Sequence, residues 1–230
     1  MLIALGATRE QPWACEVIHY EAPFGVGYLV AQLTGKPALK QYLGHSAGEV
    51  DLDEESSAGA NLTQLARSAV ENYVLRGTQI DCSQCSAELL GARAACFVSL
   101  KTHDGQLRGC IGTIEPAKDT LAEEIIANAI NAATRDPRFS PVSAEELSQL
   151  RYSVDVLSAP EPATLADLDP AVYGVIVEDE SGSHRGLLLP DLEGVESVEK
   201  QVEIAARKAG ISAEAATRLA RFRVSRFGEK

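Results

Sequence analysis

Between residues 62 and 74 the apolar side chains Leu62, Leu65, Ala66, Ala69, Val70, Tyr73 and Val74 recur at intervals of three and four, with Gly77 beyond them. That spacing places one apolar stripe on a helix and stops it at the glycine. A second helix is read over about 119–134 from Leu121, Ile125, Ile126, Ala129, Ile130 and Ala133, and a third over about 195–209, ending at Gly210. Strands are expected near 93–103, 106–114 and 151–158, then 173–177, 184–189 and 221–227, with a short helix near 143–149 and another before the last strand. The pattern predicts an α+β fold of antiparallel sheet with packed helices.

Asp104-Gly105 lies between the first two strands, and Asp-Gly suits a two-residue type I′ turn. In that register Lys101 pairs with Arg108, Leu100 with Gly109, Ser99 with Cys110 and Val98 with Ile111. Leu100, Val98, Leu107 and Ile111 then share an apolar face, and Lys101, Ser99, Arg108 and Cys110 the other. A three-residue loop would reverse the faces, because strand periodicity is two. Lys101 opposite Arg108 is a like-charge pair that calls for a nearby anion. Cys110 stands one same-face step from Arg108, roughly 6.5–7 Å along the strand, where a cation would favour its thiolate. Two readings of Cys110 stay open: an activated nucleophile beside an anion-binding Arg108/Lys101 pair, or a small hydrophobe of the core.

Hairpin, helix and strand occur twice along the chain. Leu107-Arg108-Gly109-Cys110 is echoed by His184-Arg185-Gly186-Leu187, which suggests two β-β-α-β units. In the second unit a loop at Ser181-Gly182 sets Glu178 against Arg185, and Leu187 takes the place of Cys110. Residues 46–60 are acidic, small and aperiodic and read as a linker between residues 1–45 and a domain over 61–230.

The chain has 230 residues, 45% hydrophobic and 23% charged, enough for an ordinary core in one large or two small domains. A net charge of −12 makes nucleic acid an unlikely partner, although the segment from Arg207 onward is locally basic. No signal peptide or membrane span is read at the amino terminus, so the cytoplasm is the expected compartment. The five cysteines, Cys15, Cys82, Cys85, Cys96 and Cys110, fit reduced thiols. Cys82-Ser83-Gln84-Cys85 is a lone C-x-x-C, short of ligands for zinc, and it sits in a polar loop before the first strand where a redox pair would be expected at a helix start after a strand. No metal site and no cofactor are predicted.

The run Leu107 to Thr113, LRGCIGT, resembles the signature of the AMMECR domain family, also called AmmeMemoRadiSam system protein A. AINAATRDPRF over Ala129 to Phe139 followed by Pro141, GLLLP over Gly186 to Pro190, and Lys208-Ala209-Gly210 resemble further elements of that family. The segment Asp191 to Glu199 departs from it, lacking a tryptophan. The resemblance implies an α+β domain working with Memo-like and radical-SAM proteins, and a site at Arg108, Gly109, Cys110 and Gly112, with Asp136 and Arg138 at the end of the following helix. It implies either a thiol-dependent enzyme or accessory protein, or a non-catalytic binding module or structural subunit. Asp136 and Arg138 also read as a helix-end tie, and the glycines as packing positions. Trp13 to Tyr20 and Glu21 to Tyr28 resemble the carboxyl-terminal end of class III extradiol dioxygenase-like proteins, the superfamily of Memo. Residues 1–45 thus read as the remnant or tail of a dioxygenase-like domain, in which His19 and His45 are not assigned as iron ligands.

Overall fold

The computed structural model describes residues 57–229 other than 84 and 217, together with the backbone of two strands at 14–21 and 28–34. Those strands, β1 (Ala14–Glu21) and β2 (Tyr28–Thr34), pair antiparallel. The origin read for residues 1–45 lies outside the described residues. The first helix, α1 (Ser57–Arg76), begins inside the segment read as a linker. Gly77 ends it with a φ of 70° while its N–H returns to the Tyr73 carbonyl at 2.8 Å.

A short helix, α2 (Ala87–Gly91), is capped by the Ser86 side chain, which accepts from the Leu89 N–H. Next come β3 (Cys96–Thr102), β4 (Leu107–Gly112) and α3 (Leu121–Thr134), whose capping box joins Thr120 to Glu123. A 3-10 turn at 144–149 leads into β5 (Leu150–Leu157). Then follow β6 (Glu161–Ala163), β7 (Gly174–Glu178), β8 (Arg185–Leu188), α4 (Val198–Lys208), β9 (Arg218–Phe222) and β10 (Val224–Gly228).

After residue 57 the chain forms two compact units, residues 57–159 with 224–229 and residues 160–223. The first holds an antiparallel sheet in the order β10-β5-β3-β4, and the second one in the order β6-β9-β7-β8. In each unit a hairpin is followed by a helix and then by a strand that returns beside the hairpin's first strand. The α+β class and the repeated β-β-α-β connection are both present. One strand was expected near 221–227, yet the chain breaks at Arg223 into β9 and β10, which belong to different sheets. The buried rings explain this: Phe222 and Phe227 lie five residues apart, so a single strand would aim them at opposite faces.

In the first unit Val98, Leu100, Tyr152, Val154 and Phe227 form the buried face of the sheet. Leu62, Ala66 and Ala69 of α1 and Ile125, Ile126 and Ala129 of α3 join them in one core. Burying each large aliphatic side chain contributes about 1.5–3 kcal/mol. Val175, Val177, Leu188, Ile204 and Ala205 form the corresponding core of the second unit.

The β3–β4 hairpin differs from the expected one at two places. Gly105 donates to the Thr102 carbonyl and has a φ of 86°, while the Thr102 N–H bonds the Gln106 carbonyl. The loop therefore has three residues, a turn closed by a left-handed glycine. Lys101 consequently faces Leu107, and the ladder resumes at Leu100 with Gly109 after a register shift. Arg108 is the extra residue of a bulge. The two departures cancel, so Ser99 still faces Cys110 and Val98 still faces Ile111.

Candidate functional site

β4 is an edge strand, and Cys110 turns its backbone away from β3. Its N–H donates to Asp136 Oδ2 at 2.9 Å, and its carbonyl accepts from Arg138 Nη2 at 3.4 Å. Asp136 and Arg138 follow α3 and together take the place of a neighbouring strand, one supplying the acceptor and the other the donor. They are bound to each other by a fork, Nε to Oδ1 at 2.9 Å and Nη2 to Oδ2 at 2.6 Å, with side chains only 2% and 9% exposed. Burial raises the Asp136 carboxyl, but hydrogen bonds from Arg138 and Cys110 outweigh it and hold the group below the usual carboxylate range. The Arg138 guanidinium also lies 5.3 Å from the Phe139 ring centre.

The Cys110 sulfur accepts from the Ser99 hydroxyl at 3.2 Å. Burial pushes this thiol up, and Asp155 and Asp136 add to that, while the Ser99 hydrogen bond and Arg138 pull it back without prevailing. Cys110 is thus a protonated thiol at neutral pH. Arg108, expected to activate this thiol, does not act on it. Arg108 leaves the row of Cys110 at the bulge and grips Glu146, Nε to Oε1 at 2.6 Å and Nη2 to Oε2 at 3.1 Å, with Nη1 on the Ser140 carbonyl at 2.9 Å. The cation that acts on the thiol is Arg138. Among the described residues no histidine bonds the sulfur: His103 Nε2 lies 3.2 Å from the Ser148 carbonyl, and His184 Nδ1 lies 2.9 Å from Asp179.

The expected like-charge pair of Lys101 and Arg108 does not form. Lys101 instead faces Arg151 on β5, and both are exposed. One same-face step along, Ser99 faces Ser153 on one side and Cys110 on the other. Asp155, two residues beyond Ser153, has a carboxyl raised by burial and drawn partly back by Arg226 and Lys101. The structure therefore gathers Lys101, Arg151, Ser99, Ser153 and Cys110 on the side of the sheet away from α1 and α3. Arg108, Asp136 and Arg138 serve the backbone around them.

Gly109 and Gly112 are packing positions. A Cβ on Gly109 would stand 2.2 Å from the Ala132 carbonyl oxygen of α3, and one on Gly112 would stand 2.3 Å from the Phe97 ring. The second unit repeats the first contact, since a Cβ on Gly186 would stand 2.1 Å from the Ala205 carbonyl oxygen of α4. Its edge is also held from the helix end: Lys208 Nζ donates to the Leu187 carbonyl at 3.2 Å. Leu187 is the counterpart of Cys110, so the echo between the units follows from helix and edge strand meeting at a glycine. Glu178 faces Arg185 as expected, and its carboxylate bonds Arg218 at 3.0 Å.

Sequence reasoning missed several residues of this region. Glu146 follows Ser143 at the spacing of a capping box, a readable signal. Arg151 and Ser153 required knowing that β5 pairs with β3. Buried Glu124 fastens the strand's exit, accepting from the Thr113 hydroxyl at 2.6 Å and from the Ala117 and Lys118 N–H groups at 2.8 Å each. Among the described residues no group of three or more His, Cys, Asp or Glu side chains could hold a metal ion, and no helix is long and apolar enough to cross a membrane.

Two repeated sheet-and-helix units, each with its edge strand packed through a glycine and held from the helix end, define the class of protein. Residues 63–228 match the AMMECR1 family model, and the chain belongs to the AMMECR1 family. A Thermotoga maritima relative is 54% identical over 62% of this chain and 82% of its own length. Protein CA_C1420 of Clostridium acetobutylicum is 40% identical over 99% of this chain, which spans 49% of that relative's length. Among solved structures, the uncharacterized protein PH0010 from Pyrococcus horikoshii is similar, with a TM-score of 0.67 and 30% identity over 75% of this chain and 91% of its own.

Proposed function

We propose that this chain is an accessory module of the AmmeMemoRadiSam system that binds a small anionic ligand on the β5-β3-β4 face, with Cys110 as a neutral thiol donor. The observation that carries this reading is the register of β3 with β5, which sets exposed Lys101 against exposed Arg151. Like charges directly opposite destabilise a sheet until an anion bridges them. Ser153 supplies a hydroxyl donor one step away, and the Cys110 thiol, which accepts from the Ser99 hydroxyl, stands beside it. Arg108 is engaged by Glu146, so the anion-binding role expected of it passes to Arg151. Gly109, Gly112, Asp136 and Arg138 shape and hold the strand and do not touch the ligand.

The partners in this reading are a Memo-like and a radical-SAM protein in the cytoplasm. In this reading residues 1–45 are the remnant or tail of a dioxygenase-like domain; the alignment with the longer Clostridium relative runs through nearly the whole of this chain. The test uses inorganic phosphate and a dicarboxylate, succinate, in thermal-unfolding titrations at low salt. Saturable stabilisation of the wild type, lost in a Lys101→Ala/Arg151→Ala double variant, is expected. Equal responses to anion in both proteins would refute the proposal.

A further inference from the structure

The loop between α1 and α2 holds two cysteines that the Cys110 face does not use. The Cys85 N–H donates to the Cys82 carbonyl at 2.9 Å, closing a four-residue turn. Such a turn brings its end Cα atoms within about 7 Å, and disulfides span Cα separations of about 4.4–6.8 Å. Both thiols are free and half-buried and pack against the core of the first unit. Asp81 braces the turn, accepting from the Ser83 N–H at 2.9 Å and from the Ser83 hydroxyl at 2.6 Å.

We propose that Cys82 and Cys85 are a reversible dithiol/disulfide couple that exchanges with low-molecular-weight disulfides such as glutathione disulfide. A metal site is the weaker use of the pair. Structural zinc takes four ligands, whereas the Asp81 carboxylate is engaged by Ser83, and among the described residues no third donor completes a cluster. Burial, with Cys82 and Asp81 nearby, pushes the Cys85 thiol up, which makes Cys85 the slower sulfur to attack an external disulfide.

The Cys82 thiolate attacks one sulfur of the external disulfide, forming a mixed disulfide and releasing one thiolate. Cys85 then gives its proton to solvent, and its sulfur attacks Cys82, breaking the mixed bond and releasing the second thiolate. The dithiol loses two electrons and two protons, and the external disulfide becomes two thiols. Oxidation replaces a hydrogen-bonded turn by a covalent one.

The test incubates the full chain with graded ratios of reduced to oxidised glutathione, quenches in acid, alkylates free thiols and maps peptides by mass spectrometry. The wild type should yield a peptide containing both cysteines, lighter by two hydrogen atoms and unalkylated, and reduced glutathione should reverse it. Cys85→Ser should accumulate a glutathione adduct on Cys82, whereas Cys82→Ser should form any adduct more slowly. A pair that stays alkylatable in excess glutathione disulfide, or a wild type that stops at the mixed disulfide, would overturn the proposal. The wild-type measurement stands even if a variant folds poorly.

Discussion

Cys110 is a thiol whose backbone is gripped more firmly than its sulfur. Its N–H and carbonyl are taken by Asp136 and Arg138, while the sulfur has the Ser99 hydroxyl. Alkylation of Cys110 followed against pH should show an inflection above the ordinary thiol range, because burial outweighs Arg138 and Ser99. Arg108→Ala should leave that inflection in place and Arg138→Ala should raise it; a thiolate already formed at neutral pH would revive the nucleophile reading. Asp136→Asn should cost about 3 kcal/mol, since it removes the buried carboxylate charge that pairs with Arg138 and holds the Cys110 N–H. The Asp136 carboxyl lies below its unfolded value, so its contribution is present above that value and fades as pH falls through the folded one. The gap between wild type and Asp136→Asn in denaturant unfolding should therefore narrow below about pH 4.

At the scale of elements, each β-β-α-β unit depends on a glycine that lets its helix approach an edge strand. Gly109→Ala and Gly186→Ala would each drive a Cβ into a backbone carbonyl of the helix, an atom that cannot rotate away. Each substitution should cost about 3 kcal/mol. Gly105→Ala, with no atom within 4 Å but a φ of 86°, should cost about 1 kcal/mol from backbone strain alone. Urea unfolding of the three variants checks the order. The helices over 57–76, 121–134 and 198–208 were legible because each carries an unbroken apolar stripe. The face of Cys110 was legible too, although by compensation: the three-residue loop and the bulge at Arg108 shift the register in opposite senses. Neither irregularity has a signal in the residues themselves, since Asp-Gly suits both loop lengths and nothing in Leu-Arg-Gly marks the arginine as the bulged residue.

For the whole molecule, what the sequence left hidden is long-range. The partnership of β5 with β3, which creates the Lys101–Arg151 pair, joins residues 50 positions apart. The break at Arg223, which sends β9 and β10 to different units, showed only in the spacing of two phenylalanines. The pH dependence of stability belongs to this scale as well. Burial pushes the Lys208 amine down to about 6, so between that value and the unfolded lysine value of about 10.4 the unfolded chain binds the extra proton and stability rises with pH. Lys208→Met should flatten this rise in thermal-unfolding profiles; an unchanged slope would assign the rise to other groups. The central claim, that Lys101 and Arg151 hold an anion beside a protonated Cys110, is tested most directly by NMR titration of the ¹⁵N-labelled chain with inorganic phosphate. Saturable shifts at the amides of Lys101, Arg151, Ser99, Ser153 and Cys110, absent from the Lys101→Ala/Arg151→Ala variant, are the predicted result. Shifts confined to other residues, or no saturation in the wild type, would contradict it.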